Sequence, residues 1–266
     1  MAHCYVEKLV ASVANDRLPV FNQLVFDVNR PSNSPAILWL KDINDSQDFK
    51  TVIGSGVTAR GNVGPQEKNI TWSDGAVSGD GKLGIEYYYD IKGLSIQNFV
   101  PNYNFLLSIS NTKMTEMSIL LPWSFDVYDL NTEVKPLNSL VSLTTRYFLY
   151  DVITVKKLAS LYPNIETMTL TENRITSPEE FSYHTHLSSL HLISASRIGT
   201  NVIEKMVKAY ITSGRKTSGT LTYKKNGFSD TFNGKSLSSD VAYTVTWTAS
   251  QINVTDGDQF NETMVL

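Results

Sequence analysis

The chain has 266 residues, of which 41% are hydrophobic and 18% charged, a composition that excludes a disordered polypeptide and allows two or three small globular units. Its 23 basic and 26 acidic residues give a net charge of −3, so no basic field is available to follow a phosphate backbone and no nucleic acid partner is expected. No apolar run approaches the roughly 18 to 20 residues that span a bilayer, so membrane insertion is not expected either.

The first eight residues, Met1 to Lys8, lack a basic region followed by an apolar block, and we therefore expect no secretory signal. Cys4 is the single cysteine, which excludes an intramolecular disulfide and fits a protein made in a reducing cytoplasm. A nucleophilic role for Cys4 would need a base and an oxyanion site, and the sequence identifies neither.

Residues 1–85 predict an N-terminal β domain that would serve for docking. The runs from Leu24 to Val28 and from Ala36 to Leu40 are typical of strands, and the segment from Asn69 to Trp72 alternates polar and apolar residues. Four closely spaced glycines then predict a loop: Gly75, Gly79, Gly81 and Gly84.

Residues 86–200 contain an internal repeat. Ile165, Met168 and Leu170 recur 22 residues later as Leu187, Leu190 and Leu192, which is the L-x-x-L-x-L core of a leucine-rich repeat, with Asn173 at the place where such repeats prefer asparagine. A further step of 22 residues back reaches Leu143, Arg146, Phe148, Asp151 and Ile153, which keeps the pattern except at Arg146. Upstream candidates are Met114/Met117/Ile119 and Ile91/Leu94/Ile96.

Each repeat would contribute a short strand that buries alternate side chains, because one turn cannot bury its own apolar row. The longer gap before Leu143, with Pro122 and Pro136, predicts an insertion that loops out of the stack. On this alignment the residues between the buried positions form one outward row: Ser95, Ser118, Tyr147, Thr169 and His191. This polar surface suits hydrogen bonding to a protein or glycan better than acid-base chemistry, and a solvated sheet without a ligand is the alternative.

Residues 201–266 predict a helix and β-hairpin that would cap the stack. Val202, Met206, Val207 and Tyr210 fall on one helical stripe, and Gly214 follows where a helix would end. The turn Asn233-Gly234 and the alternating run from Ala242 to Thr248 predict a hairpin and a strand, and the tail from Asp256 is expected to be exposed. The expected fold class is thus α+β, mainly β: an N-terminal β module, a short leucine-rich-repeat-like solenoid, and a C-terminal cap of one helix and a β-hairpin.

Three histidines raise the question of a metal site. His184 and His186 would share one face of a strand, but no third ligand stands at a recognisable spacing, and His191 is interpreted as a solvated surface residue. The acidic group around Asp256 and Asp258 does not match the spacing of a calcium loop. We therefore predict no metal, no cofactor and no catalytic residues.

Three segments carry a resemblance to repeat-bearing structural proteins of Bacteroidetes and of the phages that infect them, including crAss-like phages. They are the opening Val6 to Pro19, which ends in Asn-Asp-Arg-Leu-Pro, the central repeats, and the closing module with Gly214 to Thr220, Phe232 to Gly234 and Thr244 to Ala249. The resemblance covers most of the chain, and the repeats here are fewer and less regular.

The resemblance implies a bacteriophage virion structural protein, such as a head or tail appendage, a fibre or a connector subunit, assembled in the host cytoplasm. Its expected partners are other virion proteins and copies of itself, with a host-surface protein or glycan as a further partner. The alternative is a bacterial cell-surface adhesin that binds host protein or glycan through the repeat face, which would need an export route. An enzyme acting on cell-wall polysaccharide would need paired acidic residues in a cleft, and the sequence offers no such pair.

Overall fold

The computed structural model describes residues 92–97, 112–120, 135–148, 154–194 and 198–266. Before residue 92 it describes the backbone of five strands, β1 (Asn22–Asn29), β2 (Ala36–Lys41), β3 (Phe49–Ile53), β4 (Val57–Val63) and β5 (Asn69–Tyr87). The described chain is a mixed α and β structure made mainly of strands, with one large mixed sheet and few helices. This confirms the predicted α+β, mainly β class.

The long strand β5 organises the backbone before residue 92. Its first half pairs antiparallel with β2 and β4, and its second half pairs antiparallel with β1 and β3. The glycines expected to form a loop, including Gly75 and Gly84, instead lie inside β5, so that prediction was wrong. Pairing on both sides of the strand satisfies the backbone hydrogen bonds that a glycine-rich segment would otherwise exchange with water.

The centre of the sheet consists of six parallel strands, each paired with the next in chain order: β6 (Gly93–Gln97), β7 (Glu116–Leu120), β8 (Ser142–Arg146), β9 (Thr167–Thr171), β10 (Ser189–Ile193) and β11 (Gly219–Asn226). Met168 pairs with Leu190 and Leu170 with Leu192, which confirms the predicted equivalence of these two segments. Strand β2 pairs antiparallel with β6, so the N-terminal strands continue the same sheet.

The described residues include two helices and one 3₁₀ helix, which lie between the later strands. Helix α1 (Val155–Leu161) and the 3₁₀ helix (Pro178–Tyr183) flank β9, and helix α2 (Val202–Thr212) follows β10. In α1 the Thr154 side chain accepts a hydrogen bond from the backbone N–H of Lys157, which satisfies an unpaired donor of the first turn. Neither helix in the described part of the chain has the length or the apolar run needed to cross a membrane.

The C-terminal region confirms the predicted helix and hairpin. Helix α2 buries the expected stripe, and Gly214 takes a left-handed φ of 67° just after the helix. Strands β12 (Thr231–Phe232) and β13 (Lys235–Ser236) form a hairpin around Asn233-Gly234, both with positive φ, as a two-residue hairpin turn requires. The sheet ends with antiparallel strands β14 (Ala242–Trp247), β15 (Gln251–Thr255) and β16 (Asn261–Val265). The tail from Asp256, which was expected to be exposed, is only partly so: Phe260 and Met264 pack against the core, and the tail is paired as β16, which was not predicted.

The core lies on one side of the parallel strands, against the helices. Side chains at alternate strand positions are buried, and each of the strands β7 to β10 is preceded by a further buried residue at the equivalent place: Met114, Leu140, Ile165 and Leu187. Phe181 of the 3₁₀ helix and Tyr210 of α2 are among the largest fully buried side chains. The amphipathic α2 contributes most of its stability through this burial, because a helix of 11 residues is marginal alone.

The strand of the third predicted repeat is present, but its predicted register was wrong by three residues. Leu143 pairs with Met168, and Thr145, rather than Phe148, pairs with Leu170. The reason is physical. The predicted register would place Arg146 in the core, at a high desolvation cost. The observed register buries Thr145, whose hydroxyl accepts a hydrogen bond from Asn173.

Several predictions fall outside the described residues. They concern Cys4, Ile91, Asp151, Ile153, and Pro122 in the expected insertion. Pro136, at the far end of that insertion, is exposed, and it directly precedes the buried Leu137.

Candidate interaction surface

The backbone repeats itself at both ends of the parallel strands. At the start of each strand from β6 to β9, one carbonyl accepts hydrogen bonds from two successive N–H groups at the start of the next strand. The carbonyl of Lys92 accepts from Thr115 and Glu116, that of Thr115 from Val141 and Ser142, that of Val141 from Glu166 and Thr167, and that of Glu166 from Ser188 and Ser189. The distances lie between 2.8 and 3.1 Å. The start of each strand from β7 to β10 is therefore fixed by hydrogen bonds to the start of the preceding strand.

A second repeated feature lies where the strands end. The first residue after β8, β9, β10 and β11 has a left-handed φ of 55°, 52°, 44° and 74°, at Tyr147, Glu172, Ser194 and Gly227 respectively. The N–H groups of the first three donate to the last strand carbonyl of the following turn, at 3.3, 2.9 and 2.7 Å. Non-glycine residues rarely adopt this conformation, so its recurrence shows that the turns leave the sheet in one common way.

Between these two ends, the strands present a polar face opposite the core. One residue of every parallel strand falls in a single row, in backbone register: Ser95, Ser118, Thr144, Thr169, His191 and Lys224. All six are partly exposed. We call this set the outward row. Neighbouring members are about 4.8 Å apart, the spacing of adjacent strands.

The outward row contains four of the five residues that the repeat alignment selected. Tyr147 was placed wrongly, because the alignment of its turn was shifted by three residues, and Thr144 occupies its position. Tyr147 lies just beyond β8, where the Arg146 guanidinium is 5.9 Å from its ring centroid. A hydrogen bond from the Tyr147 hydroxyl to Glu172 raises the pKa of Tyr147. Tyr147 therefore lies at the margin of the face.

Two members of the row were missed by the sequence prediction. Thr144 would have been found if Leu140 had been chosen as the first buried residue of its turn, since Leu140, Leu143 and Thr145 take the three core positions. Lys224 belongs to β11, whose alternating pattern is visible in the sequence but keeps a leucine only at Leu221, with Tyr223 and Lys225 at the other two buried positions.

A parallel row of short hydroxyl side chains runs beside the outward row, two residues closer to the strand entries. It consists of Ser142, Thr167, Ser189, Thr222 and Thr244, and it extends across the antiparallel pairing of β14 with β15 to Thr255. Side chains of this length leave the sheet backbone accessible. The two rows together form a polar surface with hydrogen-bonding groups at regular spacing.

His191, the ring-bearing member of the outward row, is held by a residue of the neighbouring strand. A ring nitrogen of His191 is hydrogen-bonded to the Asn226 side-chain oxygen on the next strand. The expected solvated His191 is therefore half-buried and partnered. His184 and His186, expected on one face of a strand, instead follow the 3₁₀ helix, with His184 buried and His186 exposed.

The acidic C-terminal residues form a turn. One Asp256 carboxylate oxygen accepts hydrogen bonds from the N–H groups of Asp258, Gln259 and Phe260, each at 2.9 Å, and these bonds, that of Phe260 first, lower the pKa of Asp256. Among the described residues, no three His, Cys, Asp or Glu side chains come together as a metal site.

The chain matches no family model, no curated protein and no solved structure. The geometry of the polar face is accordingly the principal structural guide to function.

Proposed function

We propose that the parallel strands and their connections form a short leucine-rich-repeat-like solenoid, spanning residues 86–200, between an N-terminal β module and a C-terminal cap. The support is the recurrence, turn after turn, of the bifurcated entry carbonyl and the left-handed exit residue. Such a stack is held together by contacts between neighbouring turns alone.

Deletion of one whole turn tests this proposal. Removing residues 166–187 would join Ile165 to Ser188 and bring Leu143 opposite Leu190, leaving the register of the remaining turns intact. We expect this variant to unfold cooperatively in urea. Removing half a turn, residues 166–176, serves as the control and should abolish cooperative unfolding. If both deletions unfold the chain equally, the solenoid proposal is wrong.

We further propose that the chain is a non-enzymatic virion structural protein of a bacteriophage, assembled in the host cytoplasm, that acts through contacts with other virion proteins and with its own copies. The observation that carries a binding role is the outward row with its parallel row of hydroxyls. Hydroxyl groups can each donate and accept, and on a rigid sheet they lose little side-chain entropy when a partner docks. The virion assignment is supported by the sequence resemblance.

The same surface would suit a bacterial adhesin that binds host protein or glycan, because hydroxyl, imidazole and ammonium groups also hydrogen-bond to sugars. Mass spectrometry of purified phage particles and of the host envelope separates the two proposals. We expect peptides of this chain in particles at a stoichiometry typical of a structural component. Finding them in the bacterial envelope and not in particles would favour the adhesin.

A further inference from the structure

A cationic cluster lies on the connections, away from the strands that carry the outward row. It centres on Tyr183, the last residue of the 3₁₀ helix. The Arg215 guanidinium carbon is 3.9 Å from the Tyr183 ring centroid, and the Lys156 ammonium nitrogen is 4.9 Å from it. Lys156 belongs to α1 and Arg215 to the segment after α2, so three separate connections meet at one phenol ring.

Hydrogen bonds fix the backbone of both basic residues and the guanidinium of Arg215. The backbone N–H of Arg215 donates to the Tyr210 carbonyl at 3.1 Å, and its Nη1 donates to the hydroxyl of the buried Ser182 at 3.4 Å. The backbone N–H of Lys156 donates to a Glu180 carboxylate oxygen at 2.9 Å. The 3₁₀ helix that ends in Tyr183 thus anchors the residues that carry both positive charges.

Within the described part of the chain, neither positive charge is neutralised by an ion pair. No carboxylate of the described residues forms a salt bridge with Lys156 or Arg215, in contrast to Lys208 and Lys235, which pair with Glu204 and Glu262. Hydrogen bonding and charge from Lys156, and then from Arg215, lower the pKa of Tyr183. The phenol oxygen is therefore within reach of both cations.

We propose that Lys156, Tyr183 and Arg215 form a binding site for a tetrahedral oxyanion, carried as a phosphate or sulfate monoester. The guanidinium presents a planar fork of donors that matches such a group, the ammonium adds a second charge, and the phenol adds an O–H donor. The cations already occupy the space around the ring, so stacking of a sugar on Tyr183 is not part of the site. The proposal is independent of the outward row and of the virion assignment.

Calorimetric titration of the full chain with sodium phosphate and with sodium sulfate tests the site, with chloride holding the ionic strength constant. We expect saturable binding, weakened about tenfold in R215Q and in K156Q, because each removes a charge-assisted hydrogen bond. Y183F should weaken binding by about threefold, because it removes one neutral donor. K208Q is the matched control, since it removes the same charge from an exposed lysine of α2, and it should bind like the wild type. Circular dichroism establishes that each variant is folded.

A second readout separates site binding from general charge screening. The carbon resonance of the Tyr183 ring, assigned with Y183F, reports its pKa, and bound phosphate should raise that pKa because it neutralises both cations. Preference for phosphate or for sulfate identifies the ester. Equal affinity of R215Q, K156Q and K208Q, or a Tyr183 pKa that responds to phosphate no more than to chloride, would overturn the proposal.

Discussion

The Asn173 side chain joins its own turn to Thr145 on the preceding one. Its Nδ2 donates to the Thr145 carbonyl at 3.0 Å, to the Thr145 hydroxyl at 3.1 Å and to the Thr171 carbonyl at 3.0 Å. Its Oδ1 accepts from the Phe148 N–H at 2.9 Å. Asn173 and Thr145 are fully buried, so this amide satisfies backbone groups that water cannot reach.

N173A should lower the free energy of unfolding by about 2–4 kcal/mol, because it leaves several buried donors and acceptors without partners. T145V is the matched control: it preserves shape and leaves both backbone carbonyls bonded to Asn173, so we expect a loss of about 1 kcal/mol. Urea unfolding measures both. A loss in N173A no greater than in T145V would contradict this role for the amide.

His184 predicts a pH dependence of stability. Burial lowers the pKa of His184 from 6.5 to about 4, and a ring nitrogen contacts the Val155 carbonyl at 3.1 Å. The unfolded chain therefore binds this proton at a higher pH than the folded chain. The contribution of His184 to the free energy of unfolding is at its full value above pH 6.5. It falls as the pH drops from 6.5 towards 4, by about 3 kcal/mol in all, and does not change further below pH 4.

The measurement is the urea midpoint from pH 7 to pH 4, compared between the wild type and H184L. We expect H184L to be less stable at pH 7, because it leaves the Val155 carbonyl unpaired, but to lose less stability across this window. H186Q, at the exposed neighbouring histidine, should keep the wild-type profile. Parallel profiles for the wild type and H184L would show that His184 does not titrate as stated.

Asp230 ties the start of α2 to the sheet. One of its carboxylate oxygens accepts from the N–H groups of Asn201 and Thr231, each at 2.8 Å, and the other accepts from the Tyr223 hydroxyl. Burial and the Asp230 charge raise the pKa of Tyr223. We expect D230A to lower the free energy of unfolding by about 3 kcal/mol and Y223F to lower it by about 1 kcal/mol, because only D230A leaves several hydrogen-bonding groups without a partner. Equal losses in thermal and urea unfolding would contradict this account.

Gly227 and Gly214 provide a matched pair for the repeated exit conformation. Both have positive φ, but a β-carbon on Gly227 would lie 2.8 Å from the Ser194 hydroxyl, whereas one on Gly214 meets nothing within 4 Å. G214A should cost about 1–2 kcal/mol, the conformational penalty alone. G227A should lower the free energy of unfolding by more than G214A, because Ser194 must also move. The difference in urea midpoint between the two variants measures how tightly Gly227 packs against Ser194. Equal losses of unfolding free energy in G214A and G227A would mean that Ser194 can move away without penalty, which would contradict this account.

The parts of the fold that follow from local pattern could be predicted from the sequence. The stripe of α2 and the Asn233-Gly234 hairpin depend on patterns within a few residues, and the equivalence of Leu170 with Leu192 depends on the recurrence of one short apolar pattern after 22 residues. The register of β8 could not be found that way, because the core position of Thr145 is polar and becomes acceptable only when Asn173, 28 residues later, bonds to it. The same error wrongly placed Tyr147 in the outward row, at the position that Thr144 occupies.

The cluster at Tyr183 was also beyond sequence reasoning. Lys156, Tyr183 and Arg215 stand on three different connections, and no spacing rule relates them. Only the packing of α1, the 3₁₀ helix and α2 brings them together. In the 19-residue strand β5 the local pattern misled the prediction. Its glycines are typical of loops, but they lie in a strand because β5 pairs with four other strands.

Under the virion role that we propose, site-specific photo-crosslinking in assembled phage particles tests the contact role of the outward row most directly. A photoreactive phenylalanine at Thr169, in the centre of the row, should crosslink to another virion protein or to a second copy of the chain. The same residue at Lys208, an exposed position on α2, should give no such product. Efficient crosslinking from Lys208 with none from Thr169, in particles that contain both variants, would contradict the account.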